Sequence, residues 1–130
     1  MYIPTDLKYS ENDEWIRVEG NTGTIGITDY AQDQLSDVVF VEIIAEPDET
    51  KALGDACATV ESVKAAADVY LPVGGTITEV NEDLLDNPEL VNSDPYGEAW
   101  MVKLDLSDSS QLNALLDAGA YQKHCDERSA

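Results

Sequence analysis

Residues 38–44 read VVFVEII, a nearly continuous run of β-branched and aromatic side chains that points to a β-sheet protein. Such side chains favour extended backbone, and an apolar run of this length is typical of a buried strand. Upstream, residues 15–19 alternate in a strand-like way, and a turn cluster at 20–23 precedes a second extended segment at 24–28. A hairpin followed by a buried strand is therefore expected in the first third of the chain.

The pattern continues with one short helix and further strands. Residues 29–35 predict a helix capped by Thr28 or Asp29, because both side chains can accept from free backbone N–H groups. The acidic segment 47–54 is predicted to be a loop, and residues 81–97, with their Asn-Pro and Asp-Pro pairs, mostly turns with one helical turn. Further strands are predicted at 58–61, 69–71, 76–80 and 100–104.

The end of the chain has a different pattern. From Ser110 onward it predicts a helix with Leu112, Leu115 and Leu116 on one face. Gly119 is expected to interrupt or restart this helix. The last few residues are charged and are expected to fray.

The charge balance limits the classes of partner. Seven Lys and Arg stand against 27 Asp and Glu, for a formal net charge of -20. Nucleic acids and anionic membranes would be repelled, whereas basic patches on partner proteins would be attracted. General solvation is the alternative use of this charge. Cys57 and Cys125 predict free thiols in a reducing compartment, so a cytoplasmic protein is expected, with the mitochondrial matrix as the alternative.

Lys64 lies in the segment where chemistry is expected, VESVKAAAD at positions 60–68. The alanines, and Glu61 three residues before the lysine, favour a helix. The extended flanks and Pro72 favour instead a tight hairpin with Lys64 at its tip, although its turn lacks Gly, Asn and Pro. Lys64 is embedded among small apolar residues, which fits either an ordinary surface lysine or a modified one.

Eight short stretches form a distinctive series along the chain: EW at 14–15, TIGITDYAQ at 24–32, VVFVE at 38–42, ESVKA at 61–65, EVN at 79–81, ELVN at 89–92, DPYG at 94–97 and WMVK at 100–103. Together and in this order, they resemble the H proteins of the glycine cleavage system. The resemblance implies the barrel-sandwich hybrid fold of lipoyl and biotinyl domains, mainly β with short helices and a C-terminal helical segment. It also implies a single domain over residues 1–130, with a core at about 14–105 and a helical tail at about 109–130.

The resemblance implies that Lys64 is the attachment site of lipoate and that the chain is a carrier, not an enzyme. In that family the lipoyl arm takes an aminomethyl group from glycine decarboxylase, the P protein, to an aminomethyltransferase, the T protein. Reducing equivalents then pass to dihydrolipoamide dehydrogenase, the L protein. A lipoate-attaching enzyme is the fourth expected partner, and the carrier is expected to be a monomer.

The resemblance also assigns residues to recognition by the attaching enzyme. Glu61 and Gly75 occupy positions that matter for this recognition in the family. The short side chains of Val63 and Ala65 leave room for the enzyme around Lys64. A solvated carboxylate and a turn glycine are the structural alternatives for Glu61 and Gly75.

A second set of residues is expected to receive the loaded arm. An amine on the arm is cationic, so nearby carboxylates would hold and shield it, and Glu14 and Asp68 match family positions suited to this. Plain surface carboxylates are the alternative. Asp13 and Gln34 stand where relatives carry His, so a hydrogen-bonding role, rather than a titrating one, is expected for this pair.

Other functions predict different features. An independent enzyme would need a nucleophile and base, but His124 and Cys125 are adjacent on a predicted helix and point in different directions. No calcium-loop spacing is present, so no metal site is expected. A biotin carrier would have Met where Val63 and Ala65 stand, and lipoyl domains of 2-oxoacid dehydrogenases typically place Asp before the lysine. A stand-alone H-like protein that relays lipoate to other carriers, or an interaction module with unmodified Lys64, remain open alternatives.

Overall fold

The computed structural model describes residues 1–129, in which nine strands form two antiparallel sheets. The larger sheet has six strands in the order β1-β2-β3-β9-β8-β5, and the smaller has three in the order β4-β6-β7. This is the predicted mainly β barrel-sandwich. The strands are β1 (Lys8–Tyr9), β2 (Glu14–Glu19), β3 (Thr22–Ile27), β4 (Val38–Ile43), β5 (Thr50–Lys51), β6 (Ala56–Ser62), β7 (Ala66–Tyr70), β8 (Gly75–Val80) and β9 (Val102–Leu106).

The predicted hairpin and the helix after it are confirmed. Strands β2 and β3 pair in antiparallel register from Glu14↔Ile27 to Glu19↔Thr22. Helix α1 spans Asp29–Leu35, and the Thr28 side chain caps it by accepting from the Ala31 N–H at 3.2 Å. The short-range signals for turn and cap were sufficient here because both act between residues close in sequence.

The strand predicted at residues 38–44 is confirmed as β4 (Val38–Ile43), but the prediction that it is buried holds only in part. Val38 and Val41 are buried in β4, but Val39 is 53% exposed and Phe40 42% exposed. A β-bulge between Val38 and Phe40 shifts the register against β6. β4 also lies at the edge of its sheet, with one face toward the core, so only part of the apolar run is covered.

Two predicted loop regions contain more regular structure than expected. Residues 47–54 include β5, a two-residue strand that pairs with β8. Residues 81–97 hold two single-turn helices, α2 (Asp83–Asp86) and α3 (Leu90–Ser93), rather than one. Such short elements are fixed by their tertiary contacts, which local sequence patterns do not report.

The single C-terminal helix predicted from Ser110 is wrong. Residues Ser109–Ala114 form a 3-10 helix, and Leu116 then pairs with Tyr9 through two backbone hydrogen bonds of 2.7 and 2.8 Å. Helix α4 follows at Ala118–Ser129, so the predicted restart near Gly119 is confirmed. Leu112 belongs to the 3-10 helix, whereas Leu115 and Leu116 lie in the extended segment before α4. The three leucines therefore do not share one helix face. The charged residues up to Ser129, which were expected to fray, belong to helix α4, and Ala130 lies outside the described residues.

The core has two parts. The main part fills the space between the two sheets with aliphatic side chains. The second part is aromatic, and it fixes α4 to the sheet because Tyr121 stacks on Tyr9 with ring centroids 4.6 Å apart. Cys57 and Cys125 are both buried and free, as predicted. In residues 1–129, no helix has the length and apolar character needed to cross a membrane.

Candidate functional site

Lys64 lies in the tight connection between β6 and β7, as the hairpin prediction requires. β6 ends at Ser62 and β7 begins at Ala66. The helical alternative for this segment is wrong, because Glu61 pairs across the hairpin with Ala66 in antiparallel register. The Lys64 side chain is exposed. Within the described residues no salt bridge involves it, so its amine projects from the hairpin into solvent.

Ser62 explains how this turn forms without Gly, Asn or Pro. Its Oγ accepts hydrogen bonds from the backbone N–H groups of Lys64, at 3.1 Å, and Ala65, at 2.9 Å. The Ser62 N–H donates to the Ala65 carbonyl at 2.8 Å and closes the loop. A serine side chain that bonds the backbone two and three residues ahead replaces special turn residues. This role was missed from the sequence, although a serine two positions before the lysine was its signal.

The hairpin is also tied to the neighbouring strand. The Val63 N–H donates to the Asp37 carbonyl, just before β4, at 3.0 Å. Three hydrogen bonds that involve Ser62 and one to the Asp37 carbonyl therefore hold the loop that carries Lys64. A braced loop presents a side chain in one direction, which a site approached by other proteins needs.

The residues predicted for recognition by the attaching enzyme lie in two different parts of the structure. Glu61, Val63 and Ala65 are exposed beside Lys64, with Val63 70% exposed. Gly75, however, is a buried residue of β8 and does not lie in a turn. A Cβ at this position would overlap the Asp105 carbonyl of β9, so glycine is required by the close approach of two strands.

The residues predicted to receive the arm line one groove. Glu14, Gln34 and Asp68 all contribute to a cavity of about 180 Å³, together with Asp13. Glu14 is 2% exposed at the inner end, whereas Asp68 and Gln34 are exposed. The remaining lining residues are mostly apolar: Asn12, Ile27, Ala31, Leu35, Val60, Ala67 and Val69. The groove thus combines apolar walls with a buried carboxylate.

Glu14 is not the solvated surface carboxylate that was the alternative prediction. Ser10 Oγ donates to its Oε1 at 2.6 Å, and the Tyr70 N–H approaches its Oε2 at 3.4 Å. Burial raises the pKa of Glu14 from 4.5 to about 7, against the opposing effect of these two donors. The carboxyl group is therefore poised between its neutral and charged forms near neutral pH, and a cation in the groove would favour the charged form.

Asp68 occupies the exposed side of the groove. Its Oδ1 accepts from Thr59 Oγ at 3.2 Å, on the neighbouring strand of the hairpin. Asp68 is four residues from Lys64 and belongs to the same hairpin, so the groove is within the reach of a long group on Lys64. One carboxylate at the entrance and one at the inner end make the groove selective for cations over anions.

The Asp13 carboxylate binds Arg128, a residue near the C-terminus, where the sequence predicts a frayed end. Arg128 of α4 donates to both carboxylate oxygens of Asp13, and its guanidinium carbon lies 4.4 Å from the centre of the Tyr30 ring. Tyr121 also donates to Asp13, at 2.8 Å. Asp13 therefore accepts hydrogen bonds from two residues of α4, a pairing that no local sequence signal indicates because the partners lie so far apart in the chain. Helix α4 supports one wall of the groove.

The adjacent pair His124 and Cys125 does not form a reactive couple. His124 Nε2 lies 3.0 Å from the Glu11 carbonyl, on the outside of α4, whereas Cys125 is buried beneath the helix. Across residues 1–129, no three His, Cys, Asp or Glu side chains are grouped as ligands of a metal ion.

Comparison with known proteins gives one consistent result. A family model described as "Glycine cleavage H-protein" matches residues 7–128. A glycine cleavage system H protein from Carboxydothermus hydrogenoformans is 51% identical over 125 residues, 96% of this chain and 95% of the relative. Another from Staphylococcus haemolyticus is 53% identical over 127 residues, 98% of this chain and 100% of the relative. The crystal structure of such a protein from Mycobacterium marinum superposes with a TM-score of 0.83 at 32% identity, covering 98% of this chain and 100% of that one.

Proposed function

Because the chain belongs to the glycine cleavage H-protein family and is a lipoyl carrier of the glycine cleavage system, we propose that Lys64 is its lipoyl attachment site. The observation that carries the proposal is the exposed Lys64 amine at the apex of a hairpin braced by Ser62. An acyl arm fixed there can turn toward several partner enzymes while the body stays folded. Tethering then supplies a high effective concentration of the reactive end.

The groove lined by Glu14 and Asp68 fits such an arm. Its apolar walls suit the methylene groups of the arm, and its buried carboxylate suits a cationic amine. Bound lipoate supplies a disulfide that accepts the aminomethyl group derived from glycine. Asp68 would attract the ammonium group of the aminomethylated arm as it enters the groove. Glu14 would then bind that group at the inner end.

The surroundings of Glu14 orient its carboxylate for this role. Ser10 donates to one carboxylate oxygen and the Tyr70 N–H approaches the other, which fixes the plane of the group. Because burial raises the pKa of Glu14 to about 7, part of the population is protonated near neutral pH. A cation entering the groove favours the ionised form, so docking releases a proton to solvent.

The proposal includes four partner enzymes: glycine decarboxylase, aminomethyltransferase, dihydrolipoamide dehydrogenase and the lipoate-attaching enzyme. The acidic surface, with a net charge of -20, supports association with basic patches on these partners. We also propose that the protein acts in the cytoplasm, since both curated relatives are bacterial. Fractionation of host cells, followed by immunodetection of the protein, tests the location.

Intact-mass measurement of protein purified from its host tests the attachment site. We expect a lipoyl mass increment that peptide mapping assigns to Lys64, and its absence from a Lys64→Arg variant. In an assay of glycine decarboxylation with the partner enzymes, the variant is expected to be inactive, whereas Lys103→Arg, a control on β9, should retain full activity. Wild-type activity in Lys64→Arg would refute the proposal.

The same preparations distinguish the alternative in which the protein relays lipoate to other carriers. Lipoylated protein is mixed with unmodified lipoyl domains of other complexes and an acyl-transferring enzyme, and the mass of each carrier is followed. If the protein supports glycine decarboxylation but transfers no lipoyl group, its role is in glycine cleavage alone. If it transfers lipoyl groups but does not support glycine decarboxylation, the relay role replaces the proposed one.

A further inference from the structure

Three large apolar side chains are exposed at the end of the molecule that carries Lys64. Val39 is 53% exposed, Phe40 42% exposed and Val63 70% exposed. We call this set the tip surface. Single exposed apolar residues are common, but a group beside a candidate modification site is typical of protein contact.

The backbone places these residues close to Lys64. Phe40 of β4 pairs with Glu61 and Val38 pairs with Ser62, so this end of β4 lies beside the base of the hairpin. The bulge between Val38 and Phe40 leaves both Val39 and Phe40 exposed, whereas a regular strand would turn one of them inward. Val63 lies within the loop, hydrogen-bonded to Asp37 at 3.0 Å.

Carboxylates surround the tip surface. Asp37, just before β4, Glu42 of β4 and Glu61 of β6 are all exposed. Strands β4, β6 and β7 carry no Lys or Arg, and Lys64 in the loop between β6 and β7 is the one basic residue of the hairpin. An apolar centre with an acidic rim is complementary to an apolar patch rimmed by Lys or Arg. The partner of this surface is therefore a protein with a basic rim.

We propose that the tip surface is where the lipoate-attaching enzyme docks. The proposal rests on the proposed function, because it requires Lys64 to be the attachment site. The attaching enzyme must bring its reaction centre to the Lys64 amine itself, so part of its contact surface must lie against the hairpin that carries this residue. The other partners act at the far end of a long arm and can bind the body of the carrier elsewhere.

The reaction at this surface is an acyl transfer from an activated lipoyl donor, a mixed anhydride of lipoate with a nucleotide phosphate. The neutral Nζ of Lys64 attacks the acyl carbon, and a C–N amide bond forms. The bond between the acyl carbon and the phosphate oxygen breaks, and the nucleotide leaves with that electron pair. The proton lost from the amine passes to solvent. The tip surface holds the two proteins together and takes no part in these bond changes.

The test measures attachment kinetics on unmodified, folded carrier. Val39→Ser, Phe40→Ser and the double variant are compared with Ile44→Ser, a control just beyond the other end of β4 that is also 42% exposed. Rates are followed by intact mass at several carrier concentrations with purified attaching enzyme from the same host. We expect the double variant to raise KM by about tenfold or more with little change in kcat, as truncation of contact residues does. The Ile44→Ser control should stay within about twofold of wild type.

A second measurement shows whether the tip surface serves the attaching enzyme alone or also the other partner enzymes. It also keeps a failure of this proposal distinct from a failure of the proposed function. The double variant is lipoylated to completion with excess enzyme, and its glycine decarboxylation is compared with that of lipoylated wild type. Equal rates within about twofold support the assignment to the attaching enzyme. Unchanged attachment kinetics, an equal loss in Ile44→Ser, or an equal loss in glycine decarboxylation would overturn it. Failure of the proposed function is a separate result, because wild-type protein would then never gain lipoate on Lys64.

Discussion

Asp13 and Arg128, 115 positions apart in the chain, form a bidentate ion pair with nitrogen–oxygen distances of 2.6 and 3.0 Å. Asp13 has a left-handed backbone conformation with φ of 70°, at the start of the hairpin that carries Glu14. Its carboxylate also accepts from Tyr121, whose hydroxyl lies 2.6 Å from Thr28 Oγ. The C-terminal helix and the groove wall are thus joined by one hydrogen-bonded network.

Removal of the Arg128 guanidinium should loosen this connection. Arg128→Gln is expected to lower the free energy of unfolding by about 1 kcal/mol, because the pair is well aligned but partly exposed to water. Urea unfolding measures the change, with Lys123→Gln on the same helix as a control expected to change it by less than about 0.5 kcal/mol. In a double-mutant cycle with Asp13→Asn, a coupling energy near zero would show that the pair contributes nothing.

The buried carboxyl group of Glu14 should make stability depend on pH. Its pKa is raised in the folded state from 4.5 to about 7, so the folded protein retains a proton that the unfolded chain has lost between these values. The contribution of Glu14 to the free energy of unfolding is therefore largest below pH 4.5 and decreases as pH rises to about 7. Glu14→Gln, which has no such proton, should gain about 2–3 kcal/mol relative to wild type across this window.

Urea unfolding of both proteins from pH 4 to 8 measures this difference directly. The curves should diverge between about pH 4.5 and 7 and run parallel above it. Glu79→Gln, an exposed carboxylate on β8, is the control and should follow wild type apart from a constant offset. A pH-independent difference between Glu14→Gln and wild type would contradict the raised pKa.

Ser62 should determine how firmly the hairpin loop is held. Ser62→Ala removes the acceptor of the Lys64 and Ala65 N–H groups. Because both groups then turn to water, the loss of stability should be modest, about 0.5–1 kcal/mol, while their hydrogen exchange accelerates about tenfold. Exchange measured by NMR provides the test, and Ser62→Thr, which keeps the hydroxyl, should exchange like wild type. Equal protection in Ser62→Ala would show that the side chain does not brace the loop.

Gly75 should act through the fold rather than through direct contact with another protein. Gly75→Ala is expected to lower the free energy of unfolding by about 2 kcal/mol or more, since the added methyl meets the Asp105 carbonyl and the Leu104 side chain. Gly119→Ala is the matched control: helix α4 offers space there, and the change should stabilise by about 0.5–1 kcal/mol. Undiminished stability of Gly75→Ala, together with impaired lipoyl attachment, would instead support direct recognition by the attaching enzyme.

The groove residues show how much of the site could be predicted. Glu14, Gln34 and Asp68 were predicted from a family resemblance, and they do lie around one cavity. The burial of Glu14 could not be predicted, because a Glu followed by a strand-like Trp fits a surface position equally well. Its environment is built by Ser10 and by Tyr70, which is 56 residues away, and only the packing of β7 against β2 brings that group close.

The local sequence by itself determined the β2–β3 hairpin, helix α1 with its Thr28 cap, and the extended flanks of Lys64, since turn, cap and strand preferences act over a few residues. The exposure of Val39 and Phe40, the break between the 3-10 helix and α4, and the Asp13–Arg128 pair were decided by tertiary structure alone. Each depends on which strand or helix lies beside it. A chain pattern records the preference of a residue for strand or helix, but burial and long-range ion pairing are properties of the neighbours that folding brings together.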